Sequence, residues 1–219
     1  MLMHYYCSQC RQVFVNQYGL EEHYRQSEAH YYCADCKKHF QSESNLRSHR
    51  NSKIHQPQNI KCPFAPQCDM AFVSRSALLL HLEAGRCPSN ATRETVNRAI
   101  RQLDRNNIIT DPSRLITGPD GTSQQIKYSA TERSWNGYAY ECYICHGTYP
   151  TLRALNQHLA SPRHEAKIYF CPLSSCGVRF TTLSALCQHI ESQRCGVARF
   201  KAVQSALDSL VGGMRSLTM

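Results

Sequence analysis

Residues 142–164 read CYICHGTYPTLRALNQHLASPRH, and this stretch decides the fold. Two residues separate Cys142 from Cys145, twelve more lead to His158, and five more to His164. A tight turn between the cysteines aims two thiolates at one centre. The twelve-residue gap leaves room for a returning strand and the start of a helix that carries His158 to the same point. Two cysteines and two histidines at this spacing are the ligand set of a tetrahedral zinc site. Tyr149 and Leu155 fall where so small a unit needs its two core side chains.

The same grammar recurs in four other segments. Residues 5–30 hold Cys7, Cys10, His23 and His30, and residues 31–55 hold Cys33, Cys36, His49 and His55. Residues 60–87 hold Cys62, Cys68, His81 and Cys87, and residues 169–195 hold Cys171, Cys176, His189 and Cys195. The opening stretch lies in 140–164. Twelve residues always separate the second cysteine from the first histidine. An aromatic always follows the second cysteine by four: Phe14, Phe40, Phe72, Tyr149, Phe180. A leucine always precedes the first histidine by three: Leu20, Leu46, Leu78, Leu155, Leu186. These residues resemble the Cys2His2 zinc-finger family over more than half of the chain. A single match is weak, but five in register leave little room for accident. The resemblance implies a small zinc-stabilised α+β fold of tandem ββα fingers, each a hairpin followed by a helix.

Ligand arithmetic is a separate check. Twelve of 13 cysteines and eight of 11 histidines fill five quartets, hence five structural Zn2+ sites. Cys187, His4, His39 and His146 are left over. Cys187 lies within the helix of finger five and reads as a packed or half-exposed thiol, against the sharper readings of alternative ligand or redox sensor. His39 and His146 read as exposed polar residues of the hairpins, with His146, beside Cys145, a weak competitor for metal.

The departures from the family carry information. Fingers three and five end in cysteine, which zinc accepts and which makes those sites more anionic. The second gap is long. Ligands six apart on an α-helix are about 120° out of phase, so the helix must tighten or unwind after the first histidine. Pro162, just before His164, suits such a break. His23 and His30 share a face, but a rise of about 1.5 Å per residue sets them roughly 10 Å apart, too far for one ion with bonds of about 2 Å. Finger one must therefore open as well. The long gap resembles the matrin-type fingers, a subgroup with several double-stranded-RNA-binding members, and His49 and His55 after Leu46 and Arg47 fit best.

Connections and composition complete the organisation. Only Tyr31 and Tyr32 separate His30 from Cys33, which predicts that fingers one and two pack as one body. The other connectors lack the Thr-Gly-Glu-Lys-Pro sequence of array-forming DNA binders. Residues 88–105 and 197–211 each hold an apolar stripe at helical spacing, Val96-Asn-Arg-Ala-Ile-Arg-Gln-Leu103 and Val203-Gln-Ser-Ala-Leu-Asp-Ser-Leu210. Each predicts an accessory helix, with Thr92 capping the first and Gly212-Gly213 ending the second. They pack on their own finger pairs, with a partner-binding or dimerising helix as the sharper reading. The expected duplicated unit is two fingers plus a helix, 31–105 and 140–211. Val96, Ile100 and Leu103 are expected to be buried as Val203, Leu207 and Leu210 are. Residues 106–139 read as a linker, with breakers such as Asp111-Pro112 and a turn at Asn136-Gly137. Trp135 reads as packing.

Function is narrowed by what the chain contains. Each quartet is closed, with no open coordination position, and neither a phosphate-binding glycine loop nor His-Glu-x-x-His occurs, so an enzyme and a small-molecule substrate are not expected. Apolar runs fall short of a membrane span, and the opening MLMHYYC shows no signal peptide. With no signal, the thirteen cysteines favour zinc in a reducing compartment over disulfides. The net charge of +9 suits a polyanion. Residues 31–60 carry five basic and two acidic side chains, residues 142–195 the same, and residues 1–30 two basic and three acidic. The base-reading positions implied by the family are Asn16, Gly19, Glu22; Ser42, Asn45, Ser48; Ser74, Ala77, Leu80; Thr151, Ala154, Gln157; and Thr182, Ala185, Gln188. None is arginine, the commonest reader of guanine. Asn45 and Gln157 suit adenine, while Lys37, Lys38, Arg47, Arg50, Lys53, Arg153, Arg163 and Lys167 suit phosphate, or else form a solvated basic face. Two classes follow: a nuclear or nucleo-cytoplasmic DNA- or RNA-binding regulator of modest sequence specificity, and a zinc-stabilised adaptor for protein partners.

Overall fold

The computed structural model describes residues 5–114 and 128–197, together with Ser205, Ser209 and Gly213, which are each helical. Five hairpin–helix modules appear in chain order. They are β1 (Tyr5–Cys7), β2 (Gln12–Phe14) and α1 (Gln17–Gln26), then β3 (Tyr31–Cys33), β4 (Lys38–Phe40) and α2 (Glu43–Arg50). Next come β5 (Ile60–Lys61), β6 (Ala71–Phe72) and α3 (Arg75–Glu83), followed by α4 (Arg93–Leu103). The last two modules are β7 (Tyr140–Glu141), β8 (Thr148–Tyr149) and α5 (Leu152–Leu159), then β9 (Tyr169–Phe170), β10 (Arg179–Phe180) and α6 (Leu183–Glu191). Each hairpin is a separate two-stranded antiparallel sheet. Among the described residues no helix is long and apolar enough to cross a membrane.

Local chemistry explains the repetition. The residue after the second cysteine is left-handed in four modules, at Arg11, Lys37, His146 and Gly177, which turns the chain back under the thiolates. Each finger helix then starts at a polar cap. Asn16, Ser42, Ser74, Thr151 and Thr182 each accept a hydrogen bond from the N–H three residues on. The repeated leucines Leu20, Leu46, Leu78, Leu155 and Leu186 are all buried. Because α1 ends at Gln26 and α2 at Arg50, His30 and His55 lie beyond their helices. After α5 ends at Leu159, a 3-10 turn over Pro162–His164 carries the last ligand. The helices break where the ligand spacing requires.

The chain divides into two compact units, Met1–Asn59 and Ile60–Met219. In the first, fingers one and two do pack as one body. Tyr24 of α1 lies edge-on over His39 at 4.4 Å and tilted against Tyr32 at 5.4 Å. Lys37 reaches Glu21 of α1 at 3.0 Å. His39 is exposed, as expected, and its ring also borders this interface.

In the second unit α3 and α6 pack face to face. Leu78, Leu79 and Leu82 join Leu183, Leu186, Cys187 and Ile190 in one buried core, to which Val96 and Ile100 of α4 and the wholly buried Tyr169 belong. The contact is pseudo-twofold. Glu83 of α3 accepts from the N–H groups of Leu183 and Ser184 and from the Ser184 hydroxyl. Reciprocally, Glu191 of α6 accepts from the Ser76 N–H and hydroxyl. Finger three therefore pairs with finger five, and the expected duplication of residues 31–105 as a unit is overturned: finger two belongs to the other body. Two apolar helix faces that would otherwise meet water cover each other.

The accessory helix α4 behaves as expected at Val96 and Ile100, which are buried. Leu103 departs from expectation and is 39% exposed. Gly213 comes so close to it that an added Cβ would meet the Leu103 methyls at 3.1 and 3.2 Å. Val203, Leu207 and Leu210 of the second stripe lie outside the described residues, as does the linker core at 115–127.

The ends of the expected linker at 106–139 prove to be built structure. Asp104, buried at the end of α4, accepts from the N–H groups of Ile108, Ile109 and Thr110 and from the Thr110 hydroxyl. This turn lays Thr110 against Tyr169 in an isolated antiparallel bridge, and Arg179 reaches Asp111 at 2.7 Å. At the other end, the Asn136 side chain accepts from the N–H groups of Tyr138 and Ala139, the turn expected from Asn-Gly. Trp135 packs edge-on against Tyr140 at 5.1 Å while remaining 47% exposed. Finger four keeps a small core of Cys142, Leu155 and Leu159, closed by Tyr128, Ala130, Tyr140 and Tyr149.

Candidate metal centres and the surfaces around them

All five quartets converge, with ligand atoms within 4.8 Å of one another in each. The fit can be tested against a zinc tetrahedron. Bonds of about 2.3 Å to sulfur and 2.0–2.1 Å to nitrogen give edges of roughly 3.8 Å between sulfurs, 3.5 Å between sulfur and nitrogen and 3.3 Å between nitrogens. Cys62 and Cys87 stand 3.8 Å apart, as do Cys171 and Cys195. Cys68 meets the His81 Nε2, and Cys176 the His189 Nε2, each at 3.5 Å. In finger two Cys33, Cys36 and His49 lie 3.3, 3.1 and 3.0 Å from the His55 Nε2. In finger four Cys142 lies 3.4 Å from His164, Cys145 3.4 Å from His158, and the two imidazoles meet through Nε2 at 2.8 Å. Finger one is no exception: Cys7, Cys10 and His23 approach the His30 Nε2 at 3.3, 3.1 and 3.1 Å. The chain therefore binds zinc at sites fitted for five ions.

The repeated aromatic has a definite role. Phe14, Phe40, Phe72, Tyr149 and Phe180 lie against the first histidine of their own finger, with ring centroids 4.7–5.2 Å apart. Each ring fixes the orientation of a ligating imidazole. Burial holds His30, His49, His81 and His158 below the usual imidazole range, and so in the neutral form that coordinates. Burial also pushes the Cys62 and Cys171 thiols up to about 12, so metal must displace their protons. The Ser89 hydroxyl donates to the Cys87 sulfur at 3.1 Å.

The unused ligand-type residues stay apart. Cys187 is fully buried in the α3–α6 contact, and burial pushes its thiol far up, as a packed thiol requires. His146 is exposed and pairs its Nδ1 with Glu141 at 2.8 Å, outside the quartet. His4 lies outside the described residues.

The expected nucleic-acid residues are all exposed: Lys37, Lys38, Asn45, Arg47, Arg50 and Lys53 on finger two, and Arg153, Gln157, Arg163 and Lys167 on finger four. Several have protein partners. Lys37 bonds Glu21, Arg47 bonds Glu43 at 2.5 Å, and Arg50 donates to the Tyr32 carbonyl at 3.4 Å. Among the described residues Lys38, Lys53, Arg153 and Lys167 pair with no carboxylate. Sequence reasoning missed one point. The first base-reading position of every finger is its helix cap, so that side-chain oxygen is already engaged by the backbone. It also missed the reciprocal glutamates, although a serine five before and a glutamate two after the histidine occur in both cysteine-ended fingers.

One helix face varies systematically between fingers. It is marked by the residues two before and one after the first histidine. Glu21 and Tyr24 cover finger two, Leu79 and Leu82 meet Cys187 and Ile190, and Asn156 bonds both polar groups of the Ala130 backbone beside buried Leu159. In finger two the same positions are the exposed Arg47 and Arg50.

Comparison with protein families agrees with the geometry. Residues 5–30 match a model described as zinc finger, C2H2 type, and residues 139–167 another described as C2H2-type zinc finger. Residues 30–56 match a model described as zinc-finger double-stranded RNA-binding. No curated protein matches the chain.

Proposed function

The chain is a multi-finger member of the C2H2 zinc-finger family, and from that premise we propose that it binds nucleic acid chiefly through phosphates, with double-stranded RNA the favoured class. The observation that carries this reading is finger two. Its outer helix face is exposed and cationic, where the other four fingers use the same face for packing within the chain. The match of residues 30–56 to a double-stranded-RNA-binding finger supports RNA. A-form RNA is recognised by shape and backbone, which needs no base-reading arginine. The capped first reading position and the mutual burial of α3 and α6 weigh against base-specific reading of DNA by an array of fingers. The protein acts in this reading as a non-catalytic nuclear or nucleo-cytoplasmic regulator, with fingers three and five as scaffold and Arg153, Arg163 and Lys167 of finger four as secondary contacts.

Binding of the full chain to duplex RNA, duplex DNA and single strands at two salt concentrations tests it. Replacing Arg47, Arg50 and Lys53 together by alanine is expected to weaken all sequences alike. It should also lower the log–log salt slope by about two to three, one phosphate contact each. Replacing Asn45 or Gln157 should shift preference only slightly. A sharp consensus of about nine base pairs or more, three per finger, from random duplexes would favour groove reading instead. Affinity no better than the non-specific range of about 10⁻⁴–10⁻⁶ M would transfer the function to protein partners.

A further inference from the structure

Through the hairpin and up to the first histidine, fingers one and two are related by a constant offset of 26 residues, so each position there has a counterpart in the other finger. In finger two the outward face of the β3–β4 hairpin is formed by Tyr32 opposite His39. That face is occupied. Tyr24 from the helix of finger one packs on both rings, Tyr32 is only 6% exposed, and Lys37 closes the contact on Glu21. The counterparts in finger one are Tyr6, Val13 and Arg11. Tyr6 stands opposite Val13 in register, and the two are 49% and 60% exposed. Val15, just beyond the end of β2, is 97% exposed. Arg11 shares the left-handed backbone of Lys37, with φ 55 against 53, and pairs with no carboxylate among the described residues.

From this template we infer that the outward hairpin face of finger one is a docking surface for a helix of a partner protein. The occupant carries a carboxylate and, three residues on, an aromatic ring, as Glu21 and Tyr24 do for finger two. Valine in place of histidine makes the face more apolar than its occupied counterpart, and Arg11 supplies the charge that would meet the carboxylate. A polyanion is disfavoured, because residues 1–30 carry one acidic side chain more than basic ones. The inference is independent of RNA binding by finger two.

The test uses the full zinc-loaded chain and a lactam-locked helical peptide with the sequence of residues 17–26, QYGLEEHYRQ, labelled for fluorescence anisotropy. The peptide should bind, and Val13→Asp should weaken it by at least about tenfold through lost apolar burial. Arg11→Glu should weaken it several-fold, and a peptide carrying Glu21→Lys should restore binding to that variant. Should Val13→Asp lose zinc, the charge exchange at exposed Arg11 decides alone. Equal affinity for wild type and variants, or no rescue, overturns the inference. So does binding that appears only after deletion of residues 1–4, which would make them the occupant. Self-association abolished by Val13→Asp would make the occupant a second copy, and displacement of the peptide by duplex RNA would make it nucleic acid. Either result overturns the inference.

Discussion

Glu83 and Glu191 sit at the same finger position, yet their environments differ. Glu83 is 6% exposed and caps the start of α6, where it satisfies two backbone N–H groups and the Ser184 hydroxyl. Burial pushes its carboxyl up, against the pull of those hydrogen bonds and of Arg93. Glu191 makes the mirror contact to Ser76 from an exposed position. The two should therefore not be equivalent on substitution. Glu83→Ala leaves buried donors unpaired and is expected to destabilise the second unit by about 1–3 kcal/mol. Glu83→Gln keeps an acceptor and should cost less. Glu191→Ala, whose orphaned donors can turn to water, should cost under about 1 kcal/mol. Denaturant unfolding of the zinc-loaded chain ranks the three variants, and equal losses at Glu83 and Glu191 would contradict the asymmetry.

At the scale of elements, α4 acts as a wedge. Val96 and Ile100 enter the α3–α6 core, and the Tyr169 hydroxyl donates to Asn97 at 2.6 Å. Ile100→Ala should remove a wholly buried side chain and cost about 2–5 kcal/mol, read as a lower denaturant midpoint for the second unit with the first unchanged. The zinc quartets and the breaks before His55 and His164 were legible in the sequence, because ligand spacing encodes geometry within about 25 residues. The finger-one–finger-two contact was legible from its two-residue connector. The α3–α6 pairing was not, since several apolar faces compete to cover one another and local pattern does not choose between them. A signal existed in Leu79, Leu82, Cys187 and Ile190, apolar at the positions where finger two has Arg47 and Arg50. The turn at Asp104 was hidden because its carboxylate serves backbone groups, which no side-chain motif announces.

For the whole molecule, fingers this small lack the core to fold without metal, so stability and zinc content are one quantity. Structural zinc contributes roughly 10–16 kcal/mol per finger at neutral pH, and chelation should abolish ordered structure in both units. Proton linkage gives a sharper measurement. Cysteine ligates as thiolate, whereas the unfolded metal-free chain holds its thiols protonated below about pH 8.5. Burial of Cys62 and Cys171 in the folded finger opposes the thiolate further, and zinc must offset this. Protons and zinc therefore compete for the same sulfurs, so zinc retention strengthens as pH rises and is lost as pH falls. Twelve cysteines serve the five quartets, three in each of fingers three and five and two in each of the others. Calorimetric zinc titration at pH near 7.5, in two buffers of different ionisation enthalpy, should therefore give five zinc ions and close to twelve protons released per chain. Fingers three and five should show the steeper loss of affinity on acidification above about pH 7, where three thiols titrate against two and imidazoles are still neutral. Saturation at two or three zinc ions would contradict five sites, and a proton count near ten would mean that fingers three and five do not use their third cysteine.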